Sequence, residues 1–333
     1  MWGRFILRKT GSFKVILLAF MLVLVGVLSA CGQAPANNAA QPAQEQPAAP
    51  AKTESSDEFI TYQAQNGEVK IPKDLKRVVV LADSYVGDFL ALGIKPIGIT
   101  DHVMKNPYMK GKLDGIESVG DGSSVEKVLT MNPDLIVVFE GDKNLAELSK
   151  IAPTVAIPYG KKTFREQLQE FGKMTGREDK ANEWIASWDK KIAELKPKVQ
   201  AAVGDKTVAI LQPYAKGIYA FGHNYGRGGE IIYGEFQLKA PAATQKAAID
   251  SGTGWAEVSL ETLPDFAGDY IFTSAWSGDD ADPEAVYGSN VWKGLPAVKN
   301  NKVFQLDRDG SYFNDPISLE AQLDFIVEKL TQN

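Results

Sequence analysis

Residues 178–203, EDKANEWIASWDKKIAELKPKVQAAV, decide how this chain is put together. Trp184, Trp188, Ile192 and Leu195 recur at helical spacing with Asp, Glu and Lys between them, which predicts one continuous helix. Gly204 is a natural stop. A helix of that span is ~39 Å long at about 1.5 Å per residue. Pro197 is the position at which it would kink. No Gly-, Pro- or Ser-rich hinge offers another joint within the globular part, so the segment reads as a strut between two lobes. The plainer alternative is one more surface helix of a single domain.

On both sides of the strut the pattern is α/β. Arg77-Val-Val-Val-Leu81 is a strand-type apolar run, and Asp83-Ser84 opens a helix that Gly93 ends. Pro96–Ile99 and Asp134–Phe139 are further strands, with a helix over Ser124–Met131 between them. The second series starts at Thr207–Leu211, passes through glycine-rich Gly226-Arg-Gly-Gly229 into a helical stretch, and continues to strands at 269–273 and 303–306. Strands alternating with helices predict parallel βα units. Ser124-Val-Glu126, Leu129 and Pro133-Asp134 are echoed by Ser259-Leu-Glu261, Leu263 and Pro264-Asp265, which makes two related lobes the better reading. The expected organisation is a lobe over 58–177, a linker helix over 178–203 and a second lobe over 204–333, with a ligand cleft between two Rossmann-like lobes.

The remaining segments concern location. Arg4, Arg8, Lys9 and Lys14 precede a short apolar run that ends in Leu28-Ser29-Ala30-Cys31. A basic start, a greasy core and a small-residue exit are the parts of a secretory signal. Leu-Ser-Ala-Cys also resembles a bacterial lipobox, which implies lipidation of Cys31, the single cysteine of the chain. Residues 1–30 are then a signal peptide, and the Ala/Pro/Gln-rich 31–57 a disordered tether to the outer face of the cell membrane. The composition is that of a globular protein, 44% hydrophobic and 23% charged. Loss of residues 1–30 removes four basic residues and no acid, taking the formal charge from −6 to −10. That balance argues against a nucleic-acid partner.

With a lipobox, two βα lobes, one long joining helix and two Ser-x-Glu segments, the chain resembles the helix-linked substrate-binding proteins of bacterial ABC importers. That group captures ferric siderophores, haem, cobalamin or, in a separate branch, zinc and manganese. The resemblance implies a monomer with a ligand cleft between the lobes, a fairly rigid hinge and delivery to a permease dimer. It also implies that Glu126 and Glu261, one per lobe, dock on permease arginines. An ordinary first-turn glutamate is the bland alternative for each.

With two histidines, His102 and His223, the chain offers no imidazole cluster for zinc, and no resident metal or cofactor is expected. For a triply negative ferric catecholate, the best cation near an aromatic is Lys105 beside Tyr108, a thin set. More informative is GIYAFGHNYGRGGE over 217–230. It is similar to the ferric-hydroxamate receptors of Gram-positive bacteria, which show a tyrosine and, six residues on, an aromatic-Gly-Arg before a helix. Tyr219 and Arg227 match that pattern, while Tyr225 stands where a tryptophan is common. The resemblance implies that Arg227 donates to hydroxamate or carboxylate oxygens around an iron carried by the siderophore, with the two tyrosines as walls. Loops after strands add Tyr85, His102, Tyr108, Trp276 and Tyr312 as cleft candidates, with Trp255 less firmly placed. Catalysis is not expected: no G-x-S-x-G turn is present and neither histidine has a catalytic neighbour in sequence. The functional expectation is a lipid-anchored receptor for a ferric hydroxamate or citrate-hydroxamate siderophore. The alternatives are a catecholate, haem or cobalamin receptor and, more distantly, an exported α/β hydrolase.

Overall fold

The structure, a computed structural model, describes residues 58–275 and 282–332. Cys31, the signal and tether segments and Trp276 lie outside the described residues. An antiparallel hairpin, β1 (Phe59–Ala64) and β2 (Gly67–Pro72), leads into the first lobe. There β3 (Val78–Val80), β4 (Gly98–Ile99), β5 (Glu117–Ser118), β6 (Leu135–Phe139) and β7 (Thr154–Ile157) form a parallel sheet in the order β5-β4-β3-β6-β7. Its central strands are apolar at every position because both faces are covered. Val78, Val80, Leu135 and Val137 pack into one core, and Val79, Ile136 and Val138 into another on the opposite face.

The second lobe has β8 (Val208–Tyr214), β9 (Gly217–Phe221), β10 (Trp255–Val258), β11 (Tyr270–Thr273) and β12 (Val303–Gln305), in the order β10-β9-β8-β11-β12. Here the expectation of uniformly parallel units is corrected. β8, β11 and β12 are parallel, but β9 folds back on β8 as a hairpin and β10 runs antiparallel to β9. Tyr214 and Gly217 close that hairpin through a short turn, which leaves no room for a crossover helix.

A single helix over Glu178–Val203 joins the lobes, and Pro197 lies inside it without ending it. Ala181 belongs to the first lobe's core, and Trp188, Ile192, Val199 and Val203 to the second's. Trp184 packs against both cores and stacks on Trp188 at 5.3 Å between ring centroids.

A second tie was not legible in the sequence. After β12 the chain returns to the first lobe, where Phe313 is fully buried in its core. Asp315 then caps the C-terminal helix Pro316–Thr331, accepting from the backbone N–H of Ile317 (2.9 Å) and Ser318 (3.0 Å). Its carboxylate sits directly on Gly87, where a Cβ would lie 1.7 Å from Oδ1. In the same seam the Asn106 amide donates to Ser318 Oγ at 3.0 Å.

The internal repeat is real, but its register differs from the one the sequence suggested. Ser124 Oγ accepts from the N–H of Lys127 (3.3 Å) and Ser259 Oγ from that of Thr262 (3.2 Å), the same three-residue turn in each lobe, although only Ser124 caps a helix. Four residues past each serine, Val128 and Leu263 are fully buried, so Leu263 corresponds to Val128 and not to Leu129. Asp134 matches Asp269 and not Asp265. The Asp134 carboxylate receives the N–H of Arg77 at the foot of β3, and that of Asp269 receives the N–H of Thr207 at the foot of β8. Packing, which sees burial and backbone partners, sets an equivalence that letter matching missed.

Candidate functional site

Alternation along the β8–β10 sheet builds most of the site. Ile218, Ala220, Leu211 and Val258 point into a core on one face. Strand period 2 therefore sends Gln212, Tyr219, Phe221 and Trp255 to the other. Tyr219 stacks on Tyr214 at 4.0 Å and meets the edge of Trp255 at 5.5 Å, with the planes at 90°. Tyr225 from the following loop and Tyr312 from the loop after β12 continue the wall. Tyr159, just past β7, closes it from the first lobe, 5.5 Å from Tyr225 and nearly perpendicular to it. With Arg227 these residues line a cup of about 270 Å³.

Arg227 forms the floor. It lies at φ 55° between Gly226 (73°) and Gly228 (80°), a run of left-handed residues that folds the loop back sharply. Gly226 is required there on a second count, since a Cβ would fall 2.3 Å from the Tyr312 carbonyl. The Arg227 N–H donates to the Ser311 carbonyl at 2.5 Å, which fastens this loop to the one carrying Tyr312. Its guanidinium donates to Gln212 Oε1 (3.0 Å) and to the Tyr225 carbonyl (2.6 Å), and lies over the rings of Phe221 (4.3 Å) and Tyr312 (5.0 Å). Burial lowers the guanidinium pKa, yet an arginine keeps its charge under such conditions. The nearby buried Glu230 is held by the N–H of Gly226 (2.9 Å) and by Asn314 (2.8 Å), and burial pushes its carboxyl upward. The phenols of Tyr159 and Tyr312 are likewise raised by burial. The cup is thus a set of neutral aromatic walls around one fixed cation. That suits a compact organic ligand with electron-rich oxygens.

Of the eight cleft candidates, Arg227, Tyr225, Tyr219 and Tyr312 come together in the cup. Tyr85 and His102 stand one layer behind it. Tyr85 is buried, donates to the Pro158 carbonyl (2.8 Å) and touches Tyr159. His102 Nδ1 pairs with Asp83 Oδ2 at 2.8 Å, and its ring packs 4.8 Å from Tyr312. Tyr108 lies away from the cup with its ring on Gly310, its phenol pushed by burial to about 12. Lys105 is exposed and does not line the cup. Trp276 is outside the described residues. Two lining residues were missed. Phe221 follows Tyr219 by two positions on the same strand face, and Tyr159 follows a strand just as Tyr85 does. Both signals were present.

A second, polar cavity of about 430 Å³ lies between Lys161–Glu166 and the segment His223–Glu235. Arg165 spans its rim, pairing with Glu235 and with Asp189 of the linker helix (2.7 Å). Glu126 and Glu261 are both exposed, Glu126 in the first turn of a helix and Glu261 in the turn before one. Among the described residues no cluster of three or more His, Cys, Asp or Glu could hold a metal ion, and no helix is long and apolar enough to cross a membrane.

A family profile described as periplasmic binding protein matches residues 78–309. The chain belongs to the periplasmic binding protein family. Among relatives in that family is the iron(3+)-hydroxamate-binding protein FhuD of Bacillus subtilis, 52% identical over 316 residues, or 94% of this chain and 96% of the relative. A FhuD fold-family crystal structure from B. subtilis is that of a periplasmic binding protein component of a Fep/Fec-like ferrichrome ABC transporter. It superposes with a TM-score of 0.78 at 55% identity, covering 82% of this chain and all of that one. FhuD2 of Staphylococcus aureus, solved with bound ferrioxamine B, gives 0.71 at 35% identity over 77% of this chain and 98% of that one. The two-lobe class with one joining helix, expected from the sequence, is the fold of this family.

Proposed function

We propose that this chain is the extracytoplasmic receptor of an ABC importer and that it captures a ferric hydroxamate siderophore in the Arg227 cup. The observation that carries this reading is one buried arginine set among aromatic rings at the lobe interface. Three hydroxamate anions neutralise ferric iron, so the complex is uncharged overall, with a ring of electron-rich oxygens around the metal. One guanidinium can donate to those oxygens, and rings can cover the organic shell, without a surplus of cations. A triply negative catecholate complex calls for several cations, and Arg227 is the one lining the cup among the described residues. The names of the relatives point the same way. Iron travels as cargo inside the siderophore, and the protein adds no catalytic step. Lipid on Cys31 would hold the receptor at the cell membrane, and Glu126 and Glu261 would meet the permease.

Titration of the purified protein with ferrioxamine B, a ferric citrate-hydroxamate, a ferric catecholate, haem and cobalamin tests the ligand. Trp255 in the cup supplies a fluorescence signal. Saturable sub-micromolar quenching confined to the hydroxamates is the expected result. Binding confined to another member of the panel would leave the receptor class standing and remove the hydroxamate assignment.

A further inference from the structure

Trp255, at 38% exposure, is a large aromatic left open to solvent at the mouth of the cup. Strand register shows what lies beyond it. Trp255 pairs with Phe221, the ring under the Arg227 guanidinium. Two residues along β10, Glu257 pairs with Tyr219 and by strand period shares the cup-side face with Trp255. That row lies about 7 Å along the strand from the Phe221 row. It is displaced towards the β8–β9 turn that Tyr214 and Gly217 close. Tyr214 and Glu257 do not line the cup itself, so the row forms its outer edge.

The row is a corner with three sides. Tyr214 stacks on Tyr219, and the Trp255 ring stands perpendicular to Tyr219. Glu257 supplies the third side. Burial and then the Glu257 charge beside its hydroxyl raise the Tyr214 phenol, which sets the carboxylate at the polar end of the stacked rings. Glu257 is exposed and makes no ion pair among the described residues. Ring faces attract a cation, and a carboxylate next to them adds a full negative charge. Such a corner favours an organic cation, disfavours an anion and gains little from a neutral group. The recognition surface is thereby polarised, with a fixed cation at its floor and a carboxylate at its edge. A ligand with electron-rich oxygens at one end and a cationic arm at the other has one favoured orientation on it.

We propose that Glu257, with the rings of Tyr214, Tyr219 and Trp255, forms a subsite for a cationic arm of the bound hydroxamate siderophore, a primary ammonium, and that this subsite makes the receptor prefer ammonium-bearing ligands to neutral ones of similar size. The inference rests on the receptor reading above and adds to it a basis for choosing among hydroxamates.

Ferrioxamine B ends in a primary ammonium, and N-acetylation removes that charge while leaving the three hydroxamates intact. The test is a fluorescence titration of the purified protein with both forms, at low and at high salt. Wild type is compared with Glu257→Gln and with Glu68→Gln, which removes the same charge from the β1–β2 hairpin. At low salt wild type should bind the ammonium form about five-fold more tightly than the acetylated one, the scale of one exposed ion pair with a cation–π contact. High salt should shrink that ratio. Glu257→Gln should lower it about three-fold, and Glu68→Gln should leave it at the wild-type value. Equal binding of the two forms by wild type overturns the proposal, as does a ratio that Glu257→Gln leaves unchanged. An equal fall in both variants also overturns it, since the preference would then come from the overall negative charge. If wild type binds neither form, the hydroxamate reading falls and the subsite with it; if it binds both alike, the subsite falls alone.

Discussion

The two lobes solve the same folding problem and are left with different surfaces. In the first, an all-parallel sheet is covered on both faces, and it offers the cup one ring, Tyr159, from a strand-end loop. In the second, the face that packs under helices along β8, β11 and β12 turns to the cup along the β9–β10 antiparallel extension. That face carries Tyr219, Phe221 and Trp255, and its loops supply Tyr225, Arg227 and Tyr312. On the proposed reading, a small change of connectivity thus leaves one lobe as scaffold and makes the other the recognition surface. The contrast can be broken at defined points.

The largest effect should come from the second tie. Phe313, reached after the last strand of the second lobe, is fully buried in the first lobe's core, with Tyr312 and Ile317 packed beside it. Phe313→Ala should cost about 3–5 kcal/mol in a urea unfolding experiment. A loss of a few tenths would mean that the linker helix alone holds the lobes together. Next is the floor of the cup. Arg227→Ala should weaken ferrioxamine B binding about 100-fold, the scale of a buried hot-spot residue. Arg227→Lys should recover only part of it, because the fork to Gln212 and the Tyr225 carbonyl is lost. His102→Ala, one layer back in the first lobe, should change affinity far less, and equal losses would erase the distinction between scaffold and recognition surface.

A subtler prediction concerns the first lobe's own ring. The Tyr159 hydroxyl is buried and has no partner among the described residues. Such a group costs about 1–3 kcal/mol when left unmade. Tyr159→Phe should therefore raise the melting temperature of the ligand-free protein. If the hydroxyl meets a siderophore oxygen, the same change weakens binding; unaltered affinity would reduce Tyr159 to a wall.

How much of this was legible in the sequence follows from the range of the signals. The linker helix announced itself through its own periodicity, and the Tyr219–Arg227 segment through a local motif, so both could be read from one stretch of chain. The hairpin at β8–β9 was hidden because a buried apolar run reads the same in parallel and antiparallel sheets. Phe221 and Tyr159 were within reach of period-2 and strand-end reasoning. Phe313 was not, since nothing local distinguishes a residue buried in its own lobe from one buried in the other. The same limit misaligned Leu129 with Leu263, whose exposures are opposite.

A further effect is a pH dependence at the seam. Burial beside Asp88 and Gly87 pushes the Asp315 carboxyl to about 6, although its capping bonds pull the other way. Asp315 deprotonates at lower pH in the unfolded chain than in the folded one. The folded state therefore holds the extra proton between about pH 4 and pH 6, and stability falls as pH rises through that window. Asp315→Asn keeps an oxygen for the cap and does not titrate. Its stability relative to wild type should improve by about 2 kcal/mol between pH 4 and pH 7. A constant difference across that range would mean that Asp315 titrates alike in both states.

On the proposed reading, the surface of the second lobe floored by Arg227 holds the iron complex. An anomalous difference map collected at the iron edge, from crystals grown with ferrioxamine B, tests this most directly. One iron peak within the cup, facing Arg227, Tyr225 and Trp255, is the predicted result. A peak in the polar cavity between Lys161–Glu166 and His223–Glu235, with the cup unoccupied, would contradict it.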